Sequence, residues 1–316
     1  MSKSIELAKI LQKRKINIAC VQETRWVGSR AKDADGYKLW YSRVQRGKNG
    51  VSILVNRHLR ESVVEVRQVN DRLITIKLVV GECTLNIVSA YAPQAGLDEE
   101  IKRCFWEELD EIVRNILPTE RLFIGGDFNG HIGSAAGGYY KVHGSFGFGE
   151  RNGGGTSLLD FAKAFELVIA NSCFLKQEEH LVTFQSSVAK TQIDYFLLRR
   201  GDRRLCEYCK VIPGETLATQ HRLLVMDVGI IIRRKKRLVR GRSRIRWGAL
   251  TKDKVRELEG RLSAMRSWRI YGDTNTMWST TADCIRKAAR EVLGVSSGCS
   301  GGHKGDWLWN KLSKVK

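Results

Sequence analysis

The sequence is poor in the features that mark linkers and membrane segments. Only three of its 316 residues are proline, so no proline-rich hinge divides the chain. No apolar run approaches the length that crosses a bilayer, and no signal peptide opens the chain. These absences favour a nuclear or cytoplasmic protein that is neither secreted nor bound to a membrane. With 42% hydrophobic residues, the chain can build a sizeable core.

A disulfide framework is also absent. The eight cysteines are scattered, and several, such as Cys20 and Cys83, lie inside apolar runs. This placement is typical of reduced thiols in a core. Cys206 and Cys209 form one CxxC pair with no second pair, so a zinc or redox role is the less favoured alternative to a structural one.

Acidic side chains are scarce in the last part of the chain. Residues 1–230 hold 32 basic and 27 acidic side chains, a net charge of +5, whereas residues 231–316 hold 22 and 7, a net charge of +15. We expect residues 1–232 to form one domain and residues 233–316 a basic linker and helical tail. Such a polycation is typical of nucleic-acid contact or nuclear import, with a solvated linker or an anionic membrane as alternatives. The densest run of candidate nucleic-acid contacts is Arg233, Arg234, Lys235, Lys236 and Arg237.

Apolar periodicity predicts a layered α/β domain. Helices are expected where apolar side chains recur at helical spacing, at residues 4–14, 98–117, 157–166, 251–265 and 276–293. Strands are expected at residues 16–23, 36–41, 50–55, 73–80, 83–91, 121–124, 167–173, 192–198 and 223–230. Hairpins between residues 50 and 91 break a strict βαβ rhythm and favour mixed sheets. The glycine-rich segment 130–155 is expected to be a functional or mobile loop and not a packed element.

Polar residues follow several of these strands. The segment Gly125–Asn129 places Asp127 and Asn129 just past a buried strand, and the period of an extended strand puts both on the same side. An Asx-type turn is an equally good interpretation, because Gly, Asp and Asn are common turn residues. Glu23 and Tyr91 end two earlier strands, where either could belong to a site or simply to a surface or packed strand end.

The order of these motifs along the chain resembles the endonuclease/exonuclease/phosphatase family, which has the DNase I-like fold. The motifs are Gln22–Thr24, Ser89–Pro93, Gly125–Asn129, Ile193–Tyr195 and His221. More narrowly, residues 97–100, 105–110 and 123–131 are similar to the endonuclease domain of RTE-type non-LTR (LINE) retrotransposons, a group that includes craniofacial development protein 2-like proteins. The family pattern opens with a strand carrying a Trp-Asn pair. No such strand precedes Glu23, so the resemblance implies an N-terminally truncated domain, with replacement of that strand by another segment as the alternative.

The resemblance implies a four-layer α/β sandwich of two packed mixed sheets flanked by helices, with a basic, partly helical C-terminal tail. It also implies Mg²⁺-dependent hydrolysis of phosphodiesters, with Mn²⁺ as the alternative ion. DNA is then the expected partner, and no small-molecule cofactor is expected. Three functions stay open: an endonuclease that nicks one strand, a catalytically disabled remnant that binds nucleic acid through its tail, and a phosphatase.

Site roles follow from the same resemblance. Glu23 matches the carboxylate that holds the metal ion, and Asp127 matches the residue that orients or deprotonates the attacking water. Asn129 and Tyr91 would each donate to a phosphate oxygen.

His221 would lie against the phosphate, with Asp194 fixing its tautomer and raising its pKa. Gln220 stands where the wider family has an aspartate before this histidine.

Overall fold

In a computed structural model of the chain, residues 3–24, 31–42, 49–216, 220–230, 244–264 and 274–296 are described. The chain divides into two compact units, Met1–Arg233 and Arg234–Lys316. In chain order the first unit contains α1 (Lys3–Lys13), β1 (Ile18–Val21), β2 (Ala31–Ala34), β3 (Tyr37–Tyr41), β4 (Ser52–Asn56), β5 (Val63–Gln68), β6 (Leu73–Val80), β7 (Cys83–Tyr91), α2 (Glu99–Arg114), β8 (Arg121–Asp127), α3 (Gly153–Ala164), β9 (Leu167–Ile169), β10 (Phe184–Gln185), β11 (Lys190–Thr191), β12 (Asp194–Arg199), β13 (Cys206–Thr216) and β14 (Arg222–Val228).

Six strands form the larger sheet, in the spatial order β5-β6-β7-β8-β12-β9. β7 and β8 run parallel, because α2 carries the chain back across the sheet between them, and the other neighbours pair antiparallel. The hairpin between β6 and β7 turns at Gly81, whose φ of +64° suits glycine. The mixed sheet and this hairpin confirm the sequence-based expectation.

A smaller antiparallel sheet, in the order β1-β4-β3-β2, lies over the larger one, and the β13–β14 pair packs in the same layer. Alternation along β4 shows the packing. Ile53 and Val55 belong to the core between the sheets, while Leu54 belongs to the core under α1. β1 pairs only with β4 among the described strands, and all four of its residues are only partly buried.

Helices cover the outer faces of both sheets. Ala8 and Leu11 of α1 pack against the smaller sheet. Phe105 and Leu109 of α2 and Leu158 of α3 pack against the larger one. The first unit is therefore a four-layer sandwich with a core between each pair of layers, which confirms the predicted fold class. Five strands of this unit were not predicted from the sequence: β2, β5, β10, β11 and β13.

The segment between β8 and α3 is packed, so the expectation of an unpacked loop is wrong. Ile132 and Val142 are buried in the core under α2 and α3. The buried His143 accepts from the Ser145 amide at Nδ1, so its Nε2 donates to the Gly133 carbonyl at 3.0 Å. One arginine side chain, that of Arg151, donates to the carbonyl oxygens of Ile132, Ala135, Ala136 and Gly137. Side chains thus satisfy the backbone groups that a helix or strand would otherwise pair.

The second unit contains β15 (Arg244–Ile245), α4 (Lys252–Ala264), α5 (Thr274–Leu293) and β16 (Val295–Ser296), which confirms the two helices expected in the tail. Val292 and Leu293 of α5 form a small core with Ala289, packed by Leu258 of α4. The basic run 233–237 lies outside the described residues. None of the described helices combines the length and apolar character needed to cross a membrane.

Candidate active site

Three neighbouring strands of the larger sheet place polar side chains in one row. Tyr91 at the end of β7 is paired in register with Asp127 at the end of β8, and Asp127 is paired with Asp194 at the start of β12. Phe123 and Leu198 lie in the core between the sheets, and strand alternation puts Asp127 and Asp194 on the same face. The row therefore lies at the edge of the inter-sheet core, where apolar packing gives way to polar groups.

Two glycines bring these strands close together. A Cβ at Gly126 would collide with the Ala90 carbonyl of β7, and a Cβ at Gly125 would meet the Phe196 ring of β12 at 2.6 Å. The sequence pattern predicted that the strand ends at the Gly-Gly pair, at residue 124. In the structure β8 continues through both glycines to Asp127. Instead the pair allows a close approach that any side chain would prevent.

Glu23 reaches the row from the opposite sheet. It follows β1 in a left-handed conformation, with φ of +52°, and its Oε1 accepts a hydrogen bond from the Tyr91 hydroxyl at 2.8 Å. Tyr91 is buried, and this burial raises the pKa of its phenol, as do the hydrogen bond and charge of Glu23. The sequence resemblance paired Tyr91 with a phosphate oxygen, whereas in the structure its hydroxyl donates to a carboxylate.

Asp127 and Asn129 do not share a strand face. β8 ends at Asp127, and Asn129 has a left-handed φ of +49°, so the prediction from strand period is wrong. Asp127 Oδ1 accepts from the backbone N–H of Asn129 at 2.9 Å, and this hydrogen bond forms an Asx-type turn. The side-chain Nδ2 of Asn129 donates to the Ala92 carbonyl at 2.8 Å. The turn and the site interpretations are thus compatible, since the turn fixes both side chains.

His221 joins the row from just before β14. Its Nδ1 donates to Asp194 Oδ2 at 3.2 Å, and its Nε2 lies 3.9 Å from Asp127 Oδ2. The ring packs edge-on against Phe184, with 5.0 Å between the centroids. These contacts leave the imidazole little freedom and place it between two carboxylates.

Burial and crowding of like charges determine the electrostatics of this cluster. Desolvation raises the pKa of Asp127 to about 8, and the charge of Asp194 adds to this effect. Desolvation lowers the pKa of His221, but the hydrogen bond and charge of Asp194, together with Asp127 and Glu23, outweigh it and raise the pKa to about 9. Near neutral pH the cluster therefore shares protons between Asp127 and His221.

The same cluster has the chemistry of a cation site. Asp127, Asp194 and His221 can each offer one ligand atom, and these atoms lie within 4.8 Å of one another. A bound cation would reduce the repulsion between the two neighbouring carboxylates, and carboxylate oxygens suit a hard divalent ion. Glu23 lies outside this group but contributes to the potential at both Asp127 and His221.

Comparison with known proteins assigns the family. The model of the Endonuclease/Exonuclease/phosphatase family matches residues 2–216, which is more than half of the chain. The chain belongs to this family. The matched segment contains Glu23, Tyr91, Asp127, Asn129 and Asp194.

Individual relatives are distant. Craniofacial development protein 2 of Bos taurus is 28% identical over 218 residues, covering 68% of this chain and 36% of that protein, so the match spans little more than a third of the relative. Among solved structures, the endonuclease domain of TRAS1, a telomere-specific non-LTR retrotransposon, has a TM-score of 0.52 at 18% identity and covers 73% of this chain and 94% of that one. An AP endonuclease from Archaeoglobus fulgidus has a TM-score of 0.54 at 19% identity, with 70% and 92% covered. These structures share the fold.

Within this family member, two buried polar residues support Asp194 and were missed from the sequence. Thr183 Oγ1 accepts from the Asp194 amide at 3.1 Å, and Asn171 Nδ2 donates to the Asp194 carbonyl at 3.1 Å. Neither residue belongs to a motif, and their role depends on contacts across 11 and 23 residues of chain. Gln220 is exposed, and its backbone carbonyl accepts from Gln185.

The CxxC pair stays outside the site. Cys206 and Cys209 are buried in β13, and burial raises the pKa of Cys206 to about 11 and that of Cys209 in the same direction. Thiols that remain protonated are poor metal ligands and poor nucleophiles. All seven cysteines in the described part of the chain are free, so the structure favours the packing role.

Proposed function

We propose that the chain is a Mg²⁺-dependent phosphodiester hydrolase that nicks one strand of DNA, and that it derives from a retrotransposon endonuclease. The observation that carries the proposal is the meeting of the Glu23–Tyr91 pair with the Asp127–Asp194–His221 cluster at one edge of the two packed sheets. Membership of the family and the likeness of the fold to DNA-processing enzymes support it.

Hydrolysis of a phosphodiester needs an activated water, neutralised phosphate charge and a stabilised leaving oxygen. Glu23 is the residue we assign to Mg²⁺, which supplies charge neutralisation at the phosphate. Mn²⁺ offers the same ligand preferences. The Tyr91 hydroxyl orients the Glu23 carboxylate through their hydrogen bond at 2.8 Å.

Asp127 is the residue we assign to the attacking water. Its pKa of about 8 is near the operating pH, which suits a group that must accept a proton during the reaction. Its Oδ1 is held by the Asn129 amide, so the carboxylate orientation is fixed before substrate arrives.

His221 and Asn129 are the residues we assign to the phosphate oxygens. The raised pKa of His221 keeps an imidazolium available, and the bond from Nδ1 to Asp194 directs the other nitrogen, Nε2, toward the cluster. The Asn129 carboxamide donates one N–H to Ala92 and retains a second one that can donate to a phosphate oxygen.

Nicking of supercoiled plasmid by the purified protein tests this assignment. We expect nicking with Mg²⁺, none with EDTA, and none for His221→Ala or Asp127→Ala. His180→Gln is a matched control, because His180 also contacts a carboxylate, Glu179 at 3.5 Å, but lies outside the cluster. Cleavage that survives both cluster substitutions would refute the site.

A catalytically disabled remnant that binds nucleic acid through its tail is the second candidate, and the net charge of +15 over residues 231–316 favours it. If this candidate is right, the protein retards the migration of the plasmid on a gel but does not nick it in the presence of the metal ion. Replacing the five basic residues of the run 233–237 by glutamine in the full chain should weaken DNA binding. The plot of log affinity against log salt concentration has a negative slope, and each lost phosphate contact should make it less steep by about 0.9.

A further inference from the structure

Arg72 makes three separate contacts with Tyr91, and the proposed mechanism does not use it. Its backbone carbonyl accepts from the Tyr91 amide at 2.9 Å. Its Nη1 donates to the Tyr91 carbonyl at 3.2 Å, and its guanidinium lies over the Tyr91 ring, with 5.3 Å from Cζ to the centroid. One arginine thus bonds both the backbone N–H and the backbone carbonyl of Tyr91 and covers one face of its ring.

The turn that carries Arg72 is itself rigidly held. It joins β5 to β6, and Asn70 Oδ1 accepts from the amides of Arg72 and Leu73. Asp71 accepts from Asn49 Nδ2 at 2.7 Å through its side chain.

Through its carbonyl oxygen, Asp71 also accepts from the Gly50 amide at 2.9 Å. The Gly50 carbonyl in turn accepts from the amide of Thr24, the residue after Glu23, at 3.1 Å. The turn therefore connects both partners of the Glu23–Tyr91 hydrogen bond.

We propose that Arg72 is a positioning residue that holds the Tyr91 hydroxyl against the Glu23 carboxylate and so fixes the ligand assigned to the metal ion. A planar guanidinium can stack on the ring and bond the carbonyl at once, which an ammonium cannot do in the same geometry. The inference rests on the proposed function for its kinetic arm only.

The kinetic arm is a double-mutant cycle on nicking of a defined duplex. Arg72→Met keeps most of the aliphatic packing and removes the cation and the donor. We expect kcat to fall about 10-fold while KM and the DNA dissociation constant stay within about twofold. In a Tyr91→Phe background the same substitution should change kcat by less than about twofold, because no hydroxyl remains to be positioned. Arg72→Lys should restore little of the loss.

Arg67→Met is the matched control. Arg67 lies on β5, and its ion pair with Glu111 is exposed, with 46% and 65% of the two side chains accessible, so we expect wild-type kcat. An Arg72→Met loss that appears in KM or in the dissociation constant, or that persists in the Tyr91→Phe background, would show that Arg72 does not act through the Tyr91 hydroxyl and would overturn the proposal.

The second arm needs no activity. In protein labelled with ¹³Cζ-tyrosine, the Tyr91 signal is assigned by its loss in Tyr91→Phe. We expect Glu23→Gln to shift this signal in the wild type and to leave it unchanged when Arg72→Met is present. A Tyr91 signal that responds equally in both backgrounds would refute positioning by Arg72. If the wild type does not nick DNA but this coupling is present, the proposed function fails and the role of Arg72 stands.

Discussion

The substitution Asp194→Asn tests the electrostatics of the site with little structural change. The side chains are nearly isosteric, and the contacts of Thr183 and Asn171 to Asp194 involve its backbone, so the substitution leaves them intact. What changes is the partner of His221, which loses a charged acceptor at 3.2 Å. The pKa of His221 should then fall from about 9 toward or below the ordinary value of 6.5.

The size of the effect follows from protonation and orientation. At about pH 7.5 a histidine with a pKa of about 9 is almost wholly protonated, whereas one with a pKa of 6.5 is only about one-tenth protonated. The hydrogen bond of His221 to a charged group is worth about 1.5–3 kcal/mol in a buried site, and a neutral acceptor keeps only part of it; the cost here is smaller, because 32% of the His221 side chain is exposed. We expect kcat for nicking to fall roughly 10- to 100-fold.

The pH profile distinguishes this reasoning from simple damage. Asp194 also raises the pKa of Asp127, so its neutralisation should move both limbs of the rate profile to lower pH. The assay is plasmid nicking from about pH 6 to 10, with Asp227→Asn, an exposed carboxylate on β14, as the control of equal charge change. A variant with a wild-type circular dichroism spectrum and an unshifted profile would refute the assigned link between Asp194 and His221.

Three further predictions concern stability, measured by urea unfolding. Gly126→Ala should destabilise the fold by about 3 kcal/mol, because the new Cβ meets the Ala90 carbonyl. The control Gly96→Ala places its Cβ in open space and should change the free energy of unfolding by less than about 0.5 kcal/mol. Equal effects would contradict the close approach of the strands. Tyr195→Phe should cost about 1–3 kcal/mol, because the one proton of its buried hydroxyl is shared between the carbonyl oxygens of Gly130 and Gln192, and both would lose it; a neutral result would argue against this contact. Burial lowers the pKa of His143, so the neutral ring stabilises the fold fully above pH 6.5, and this contribution to the free energy of unfolding is lost as the pH falls below that value. His143→Gln should flatten the dependence of the unfolding free energy on pH in this range. An unchanged dependence would exclude His143 as its source.

Much of the fold follows from local sequence patterns. The strand pair around Gly81 is predicted residue for residue, and the helix predicted at residues 98–117 is α2, for which the structure shows Asp98 as the N-cap that accepts from the backbone amide of Glu100. The strand bounds and the position of the helix depend on side-chain period and turn chemistry within a few residues, whereas the capping role of Asp98 was seen only in the structure. Local patterns also located the polar residues at the ends of β1, β7 and β8, and the order of the motifs along the chain made them candidates for one site.

What the sequence could not decide depends on contacts between distant segments. Strand period put Asn129 beside Asp127, but the Asx-type turn and the Ala92 carbonyl, 37 residues away, set its direction. The composition of the segment 130–155 indicated an unpacked loop, but the side chains of Arg151 and His143 bond backbone groups within it.

The sequence by itself determined the layered class, the uneven charge and the residues from which a phosphodiesterase site could be built. Only the tertiary structure decided that Tyr91, Asp127 and Asp194 form one row, that Tyr91 bonds Glu23, and that Arg72 holds Tyr91. The reason is physical. A strand's own alternation fixes which face a side chain takes, but its neighbours and their register are fixed by pairing across tens of residues, which no local pattern records.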